Sequence, residues 1–172
     1  MLIWFGIRII YAEYTDYDMT DIKVNQIIRF LNTSEDLYHH LVFLVGESGS
    51  GKTFLLRETS NYFKTSIINV NLSVSKALLD LTPKQRSLKV PEILSGIIED
   101  ASSPAILDNL EILFDNDIKQ DPFRLLQHLS RRYTILASWN GSVENGRLVY
   151  AKPGHPEFRE YNPEDIQLIC LD

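Results

Sequence analysis

Leu41-Val42-Phe43-Leu44-Val45-Gly46-Glu47-Ser48-Gly49-Ser50-Gly51-Lys52-Thr53-Phe54-Leu55-Leu56-Arg57 is the stretch that decides the fold. The unbroken apolar run Leu41 to Val45 has the length of a parallel strand buried on both faces. Gly46 to Thr53 then satisfies G-x-x-x-x-G-K-[ST], and a helix is predicted from Thr53 to about Phe63. Strand, glycine-rich loop and helix in that order make a phosphate cradle. The glycines let the backbone of Glu47, Ser48, Gly49, Ser50 and Gly51 curl so that its N–H groups point inward. The helix N-terminus adds the positive end of its dipole at the same spot. Lys52 is then placed to bridge β- and γ-phosphates, and the Thr53 hydroxyl to bind magnesium. The expected ligand is a nucleoside triphosphate with Mg2+.

Outward from this loop, strands and helices alternate. Upstream, Asp21 is read as the cap of a helix in which Val24, Ile27, Ile28 and Leu31 recur at helical spacing. Downstream, Ser66 to Asn71 reads as a strand, and Ser73 as the cap of a short helix carrying Val74, Ala77, Leu78 and Leu81. Thr82 to Lys89 is polar and reads as an exposed connection, before a helix over Pro91 to Ala101. Pro104 to Asp108 is a third strand. Asp121-Pro122 is a helix start, cap then proline, and Leu125, Leu126, Leu129 and Tyr133 form that helix's apolar stripe. Thr134 to Ser138 is a fourth strand, and Arg147 to Ala151 a fifth, after an Asn145-Gly146 turn. The alternation predicts an α/β, three-layer P-loop NTPase sandwich, with a mainly parallel sheet of about five strands. No repeat or linker divides residues 19–172, which read as one domain without a C-terminal helical lid.

Asp108 supplies the second half of the site. An acid at the carboxyl end of a buried parallel strand lies in the ligand crevice of an open sheet, where it is expected to hold the magnesium with Thr53. A whole further strand and helix separate it from the P-loop, as in the additional-strand class of P-loop ATPases. Those enzymes commonly carry a glutamate next to this aspartate, but here the position is Asn109, which accepts no proton at neutral pH. Glu111 follows. It is the candidate general base, with a dipole-favoured helix-start acid as the alternative. The tip of the fourth strand, Ser138-Trp139-Asn140, offers Ser138 or Asn140 as a contact for the γ-phosphate or the attacking water. Trp139 either stacks on a base or plugs the sheet. No arginine among Arg131, Arg132, Arg147 and Arg159 stands out as a finger.

With 172 residues and a net charge of -6, the chain has room for one core and is not a generally basic nucleic-acid coat. Its one cysteine, Cys170, excludes an internal disulfide and fits a reducing, cytoplasmic setting. The apolar start Met1 to Tyr11 is far short of the ~20 residues that span a bilayer. Residues 1–18 read either as an extra edge strand or as an extension before a true start at Met19. His39-His40 lacks a third ligand and reads as a solvent-facing turn. Lys84, Arg86 and Lys89 read as a solvated basic loop rather than a nucleic-acid contact.

Several segments carry a family resemblance. They are Asp108-Asn109-Leu110-Glu111-Ile112-Leu113-Phe114, Asp121-Pro122-Phe123-Arg124-Leu125-Leu126, Ser138-Trp139-Asn140-Gly141 and Pro153-Gly154-His155-Pro156-Glu157-Phe158. With Gly46 to Thr53, they resemble the BrxF family, the small P-loop proteins of type 3 BREX phage-defence systems, over roughly residues 19–162. The acid spacing from Asp108 to Glu111 is also similar to slow ATPases of the STAND type. The resemblance implies a bacterial cytoplasmic Mg-ATPase working beside other defence proteins on phage or modified host DNA. A homo-oligomer or another protein would complete its site. Two rivals remain from the residues: a small-molecule kinase, and a scaffold that binds nucleotide without hydrolysing it. GTP is disfavoured, because no Asn/Thr-Lys-x-Asp motif is present.

Overall fold

The computed structural model describes residues 16–33 and 36–171. The strand that feeds the P-loop, β1 (Leu41–Gly46), is buried along its whole length. It can be so because parallel strands flank it on both sides. On one side lies β4 (Ile135–Glu144), which continues to β3 (Ala105–Asp108) and β2 (Ile67–Asn69); on the other lies β7 (Gln167–Cys170). The order is β2-β3-β4-β1-β7. Alternate residues of β1 serve two cores. Val42 and Leu44 join Ile27 and Leu31 of α1 (Asp16–Thr33) and Leu55 and Leu56 of α2 (Lys52–Phe63). Leu41, Phe43 and Val45 face α3 (Val70–Leu78), α4 (Pro83–Glu99) and α5 (Pro122–Leu129). Helices therefore cover both faces of a mainly parallel sheet, giving the three-layer α/β sandwich expected from the sequence.

The fifth parallel strand is not the expected one. Arg147–Tyr150 forms β5, but it runs antiparallel to the far end of β4. There β4 leaves the parallel core after Asn140 and enters a hairpin, to which β6 (Arg159–Tyr161) adds a third strand. The turn is the expected Asn145-Gly146, with φ of 50° and 76°, the twist that suits a two-residue hairpin. Gly141 is required on this ribbon, since a Cβ there would lie 1.9 Å from the Val149 carbonyl oxygen. The edge place beside β1 falls to Gln167–Cys170, an edge strand without the unbroken apolar run that marks β1.

Helix starts also differ from expectation. α3 begins straight after β2 because Asn69, not Ser73, caps it, accepting a hydrogen bond from the Leu72 amide at 2.9 Å. The stretch Thr82 to Lys89 is no exposed connection. Thr82 and Gln85 form a reciprocal capping box, and helix runs from Pro83 through Pro91. Pro91 has no N–H for the Ser87 carbonyl one turn back, and the Gln120 side-chain amide donates to that carbonyl instead, at 2.6 Å. Asp21 lies inside α1 rather than at its cap. By contrast, Asp121 caps α5 as its sequence predicts, accepting from the Arg124 amide at 2.9 Å. The expectation about residues 1–18 falls mostly outside the described residues. Asp16–Asp18 already belong to α1 together with Met19. Among the described residues no helix follows α5, and none is long and apolar enough to cross a membrane.

Candidate functional site

The P-loop folds as its glycines allow. Gly49 and Gly51 adopt φ of 85° and 91°, a region that costs other residues dearly. Gly51 immediately precedes α2, and its carbonyl accepts the first amides of that helix, from Phe54 and Leu55. Lys52 is buried, and its Nζ donates to the carbonyls of Gly46 and Glu47, each at 2.6 Å, and to Ser50 Oγ at 3.3 Å. Burial pushes the Lys52 ammonium below the usual lysine range, against the opposing pull of Asp108, Glu111 and Glu47. A cation is thus held, partly desolvated, over the mouth of the loop.

Asp108 ends β3 at the height of this loop. The Thr53 hydroxyl donates to one of its carboxylate oxygens at 3.0 Å. The other oxygen accepts from the buried Ser138 hydroxyl at 2.6 Å and from the Asn109 amide at 3.0 Å. The donor set fits magnesium held partly by substrate. One carboxylate and one hydroxyl meet at the foot of a phosphate cradle, and Mg2+ takes few protein ligands while keeping water and substrate oxygens. Among the described residues no group of three or more His, Cys, Asp and Glu forms a metal cage. A cleft of about 360 Å3 opens between the P-loop, Asp108, Glu111 and Asn140.

The two candidates at the tip of β4 separate. Ser138 points its hydroxyl at Asp108, behind the cleft, while Asn140 lines the cleft itself and donates its side-chain amide to the Glu111 carboxylate. Glu111 reaches the cleft because Asn109 takes a left-handed φ of 57°, turning the chain into a 3₁₀ helix over Glu111–Phe114. Asn is one of the few residues other than glycine that tolerates this conformation. Trp139 is buried edge-on against Phe43 and Phe114 and plugs the core.

The other singled-out residues lie elsewhere. His39 is buried, contrary to its reading as solvent-facing, because its Nδ1 hydrogen-bonds the Gln127 backbone oxygen at 2.9 Å. Arg131 covers the Tyr38 ring, Arg132 pairs with Glu99, Arg147 with Glu160, and Arg159 bonds Asn116. None of these arginines lines the cleft. Lys84, Arg86 and Lys89 belong to the first turns of α4, where Arg86 bonds the Leu81 carbonyl and Lys89 pairs with Glu92. Sequence reasoning passed over Asn71, which bonds the loop leading to Glu111 from both its backbone and its side chain. Only its place at the end of the strand read over Ser66 to Asn71 could have flagged it.

No protein-family model matches the chain, and no curated protein does. Among solved structures, PCH-2 of C. elegans aligns with 90% of this chain at 15% identity and a TM-score of 0.42. This chain covers 43% of that one, and at such distance the likeness carries no argument about function. The BrxF resemblance accordingly rests on sequence motifs alone.

Proposed function

We propose that the chain binds Mg-ATP in the cleft between its P-loop and Asp108 and hydrolyses it slowly, in a manner that depends on a partner. One observation carries the reading most directly: Thr53, the last residue of the P-loop motif, hydrogen-bonds Asp108 from a separate strand at 3.0 Å. The two predicted metal ligands thus meet at one point. In this reading the loop amides and Lys52 bind the β- and γ-phosphates, and Thr53 and Asp108 hold the magnesium. When bound, that ion neutralises charge developing on the phosphates. Glu111 takes the proton of the attacking water, and Asn140 orients Glu111.

Partner dependence is supported by the cations. Among the described residues that line the cleft, Lys52 is the one basic side chain, so charge developing in the transition state calls for another from outside. A second copy or another protein of a phage-defence system fits that role. DNA would act through such an assembly rather than at a cleft lined by the carboxylates of Asp108 and Glu111. The hydrogen bond from Asn140 to Glu111 also favours a second reading, a nucleotide-binding scaffold whose acid is never freed for catalysis.

The first experiment is phosphate release from Mg-ATP over a wide protein concentration range, with Lys52→Ala and Glu111→Gln as controls. Turnover that rises steeply with concentration and is abolished in both variants supports an ATPase completed between copies. Tight ATP binding without turnover, alone or with added DNA, would refute completion between copies and leave either a switch completed by a different protein or the scaffold. Phosphorylation of an added small-molecule acceptor would instead support the kinase.

A further inference from the structure

The 3₁₀ helix Glu111–Phe114 is gripped from two sides by elements outside the phosphate loop. On one side stands Asn71, at the start of α3. Its backbone amide donates to the Asn109 carbonyl at 2.9 Å, and its side-chain oxygen accepts from the Ile112 amide at 2.8 Å. On the other side stands Tyr150, at the end of β5. Its ring stacks on Phe114 with centroids 3.4 Å apart and planes within 8°. Trp139 meets both rings edge-on.

The hairpin that carries Tyr150 is itself fastened. Trp139 Nε1 donates to the Val149 carbonyl at 2.9 Å, and Gly141 packs against the same oxygen. Glu111 begins the turn that both contacts hold. A four-residue 3₁₀ turn holds little structure on its own, so its surroundings fix where the Glu111 carboxylate stands.

We propose that Asn71 and Tyr150 are positioning residues for Glu111, clamping its turn between α3 and the β4–β5 hairpin. The hairpin, which the parallel core does not need, then becomes a working part of the nucleotide site. The proposal rests on the reading of Glu111 as the base. Truncating either clamp leaves the phosphate and magnesium ligands intact, so it should lower kcat without weakening nucleotide binding. Tyr150→Phe keeps the stacked ring and should behave as wild type.

Three quantities test this in the full chain, for wild type, Tyr150→Phe, Tyr150→Ala and Asn71→Ala: amide exchange over residues 109–115, Mg-ADP affinity, and ATP turnover. In both alanine variants, exchange at the Leu113 and Asp115 amides should quicken on the order of tenfold while β3 stays protected. Their kcat should fall on the order of tenfold or more, the penalty of a misplaced catalytic group, with Mg-ADP affinity kept within about twofold. If Tyr150→Ala disrupts the hairpin, Asn71→Ala decides alone, because it leaves the aromatic contacts whole. Unchanged exchange in both alanine variants overturns the proposal, as does quickened exchange with unchanged kcat. A wild type that binds nucleotide but never turns it over defeats the hydrolysis reading alone; exchange at Leu113 and Asp115 then still decides whether the clamps hold this turn.

Discussion

Ser138→Ala tests whether the site is preformed. The Ser138 hydroxyl is buried and donates to the Asp108 carboxylate at 2.6 Å. A hydrogen bond to a charged group contributes about 1.5–3 kcal/mol. The lower half of that range applies, because the same carboxylate oxygen keeps the Asn109 amide at 3.0 Å. A loss of about 2 kcal/mol corresponds to a fall of about 4–8 °C in unfolding midpoint for a chain of this size. The midpoint would be followed by calorimetry without nucleotide. With Asp108 freed to swing, apparent magnesium affinity in the presence of ADP should weaken about tenfold, as for lost supports of metal ligands. Ser138→Thr, which keeps the hydroxyl, should recover most of the magnesium dependence. A different outcome would refute the reasoning: an unchanged midpoint without nucleotide, together with selective weakening of ATP relative to ADP. Ser138 would then be sensing the γ-phosphate rather than holding Asp108.

Two further expectations concern the scaffold. Burial, aided by Glu157 and Glu111, pushes the Tyr150 phenol up to about 12. A raised acid stabilises the fold fully below its ordinary value of about 10 and loses that contribution as pH climbs through about 12. Denaturant titrations at stepped alkaline pH should therefore show a shallower decline for Tyr150→Phe than for wild type; identical slopes would argue against the burial of this hydroxyl. The second expectation is a double-mutant cycle at the proline in α4. Gln120→Ala should cost about 1 kcal/mol in wild type, by stranding the Ser87 carbonyl. It should cost almost nothing in Pro91→Ala, where the restored amide takes that carbonyl, and urea unfolding reads both.

Much of this fold is legible because its signals are local. The unbroken run Leu41–Val45, the glycines at 49 and 51, and the Asp121-Pro122 start each state their structure within a few residues. Most of the missed features depend on distant partners. Gln167–Cys170 becomes a parallel strand only because β1 offers it an edge, and nothing in its own pattern announces that. Pro91 reads as a helix boundary until Gln120, far along the chain, is seen to satisfy Ser87. Thr82 begins a helix where charge and polarity suggest a loop, since the capping box outweighs the appearance of Lys84, Arg86 and Lys89. At the site, Asp108 could be singled out from its place at a strand end. The division of labour between Ser138 and Asn140 could not: two apart on β4, they share a face, and only their distant partners, Asp108 and Glu111, tell them apart.

The pairing of β7 with β1 also bears on how the protein is made. β1 is synthesised early, yet one of its two neighbours comes from the far end of the sequence, joining Val45 to Cys170 and the Leu171 amide to the Val45 carbonyl. Closing so long a loop carries an entropic cost that local contacts avoid, and it slows assembly. A chain still on the ribosome can therefore hold the entire phosphate-binding motif while the strand leading into it lacks one flank. On the proposed function, nucleotide capture waits for β7, and chains stalled or cut short before Gln167 should compete poorly for ATP even with every residue of the loop in place.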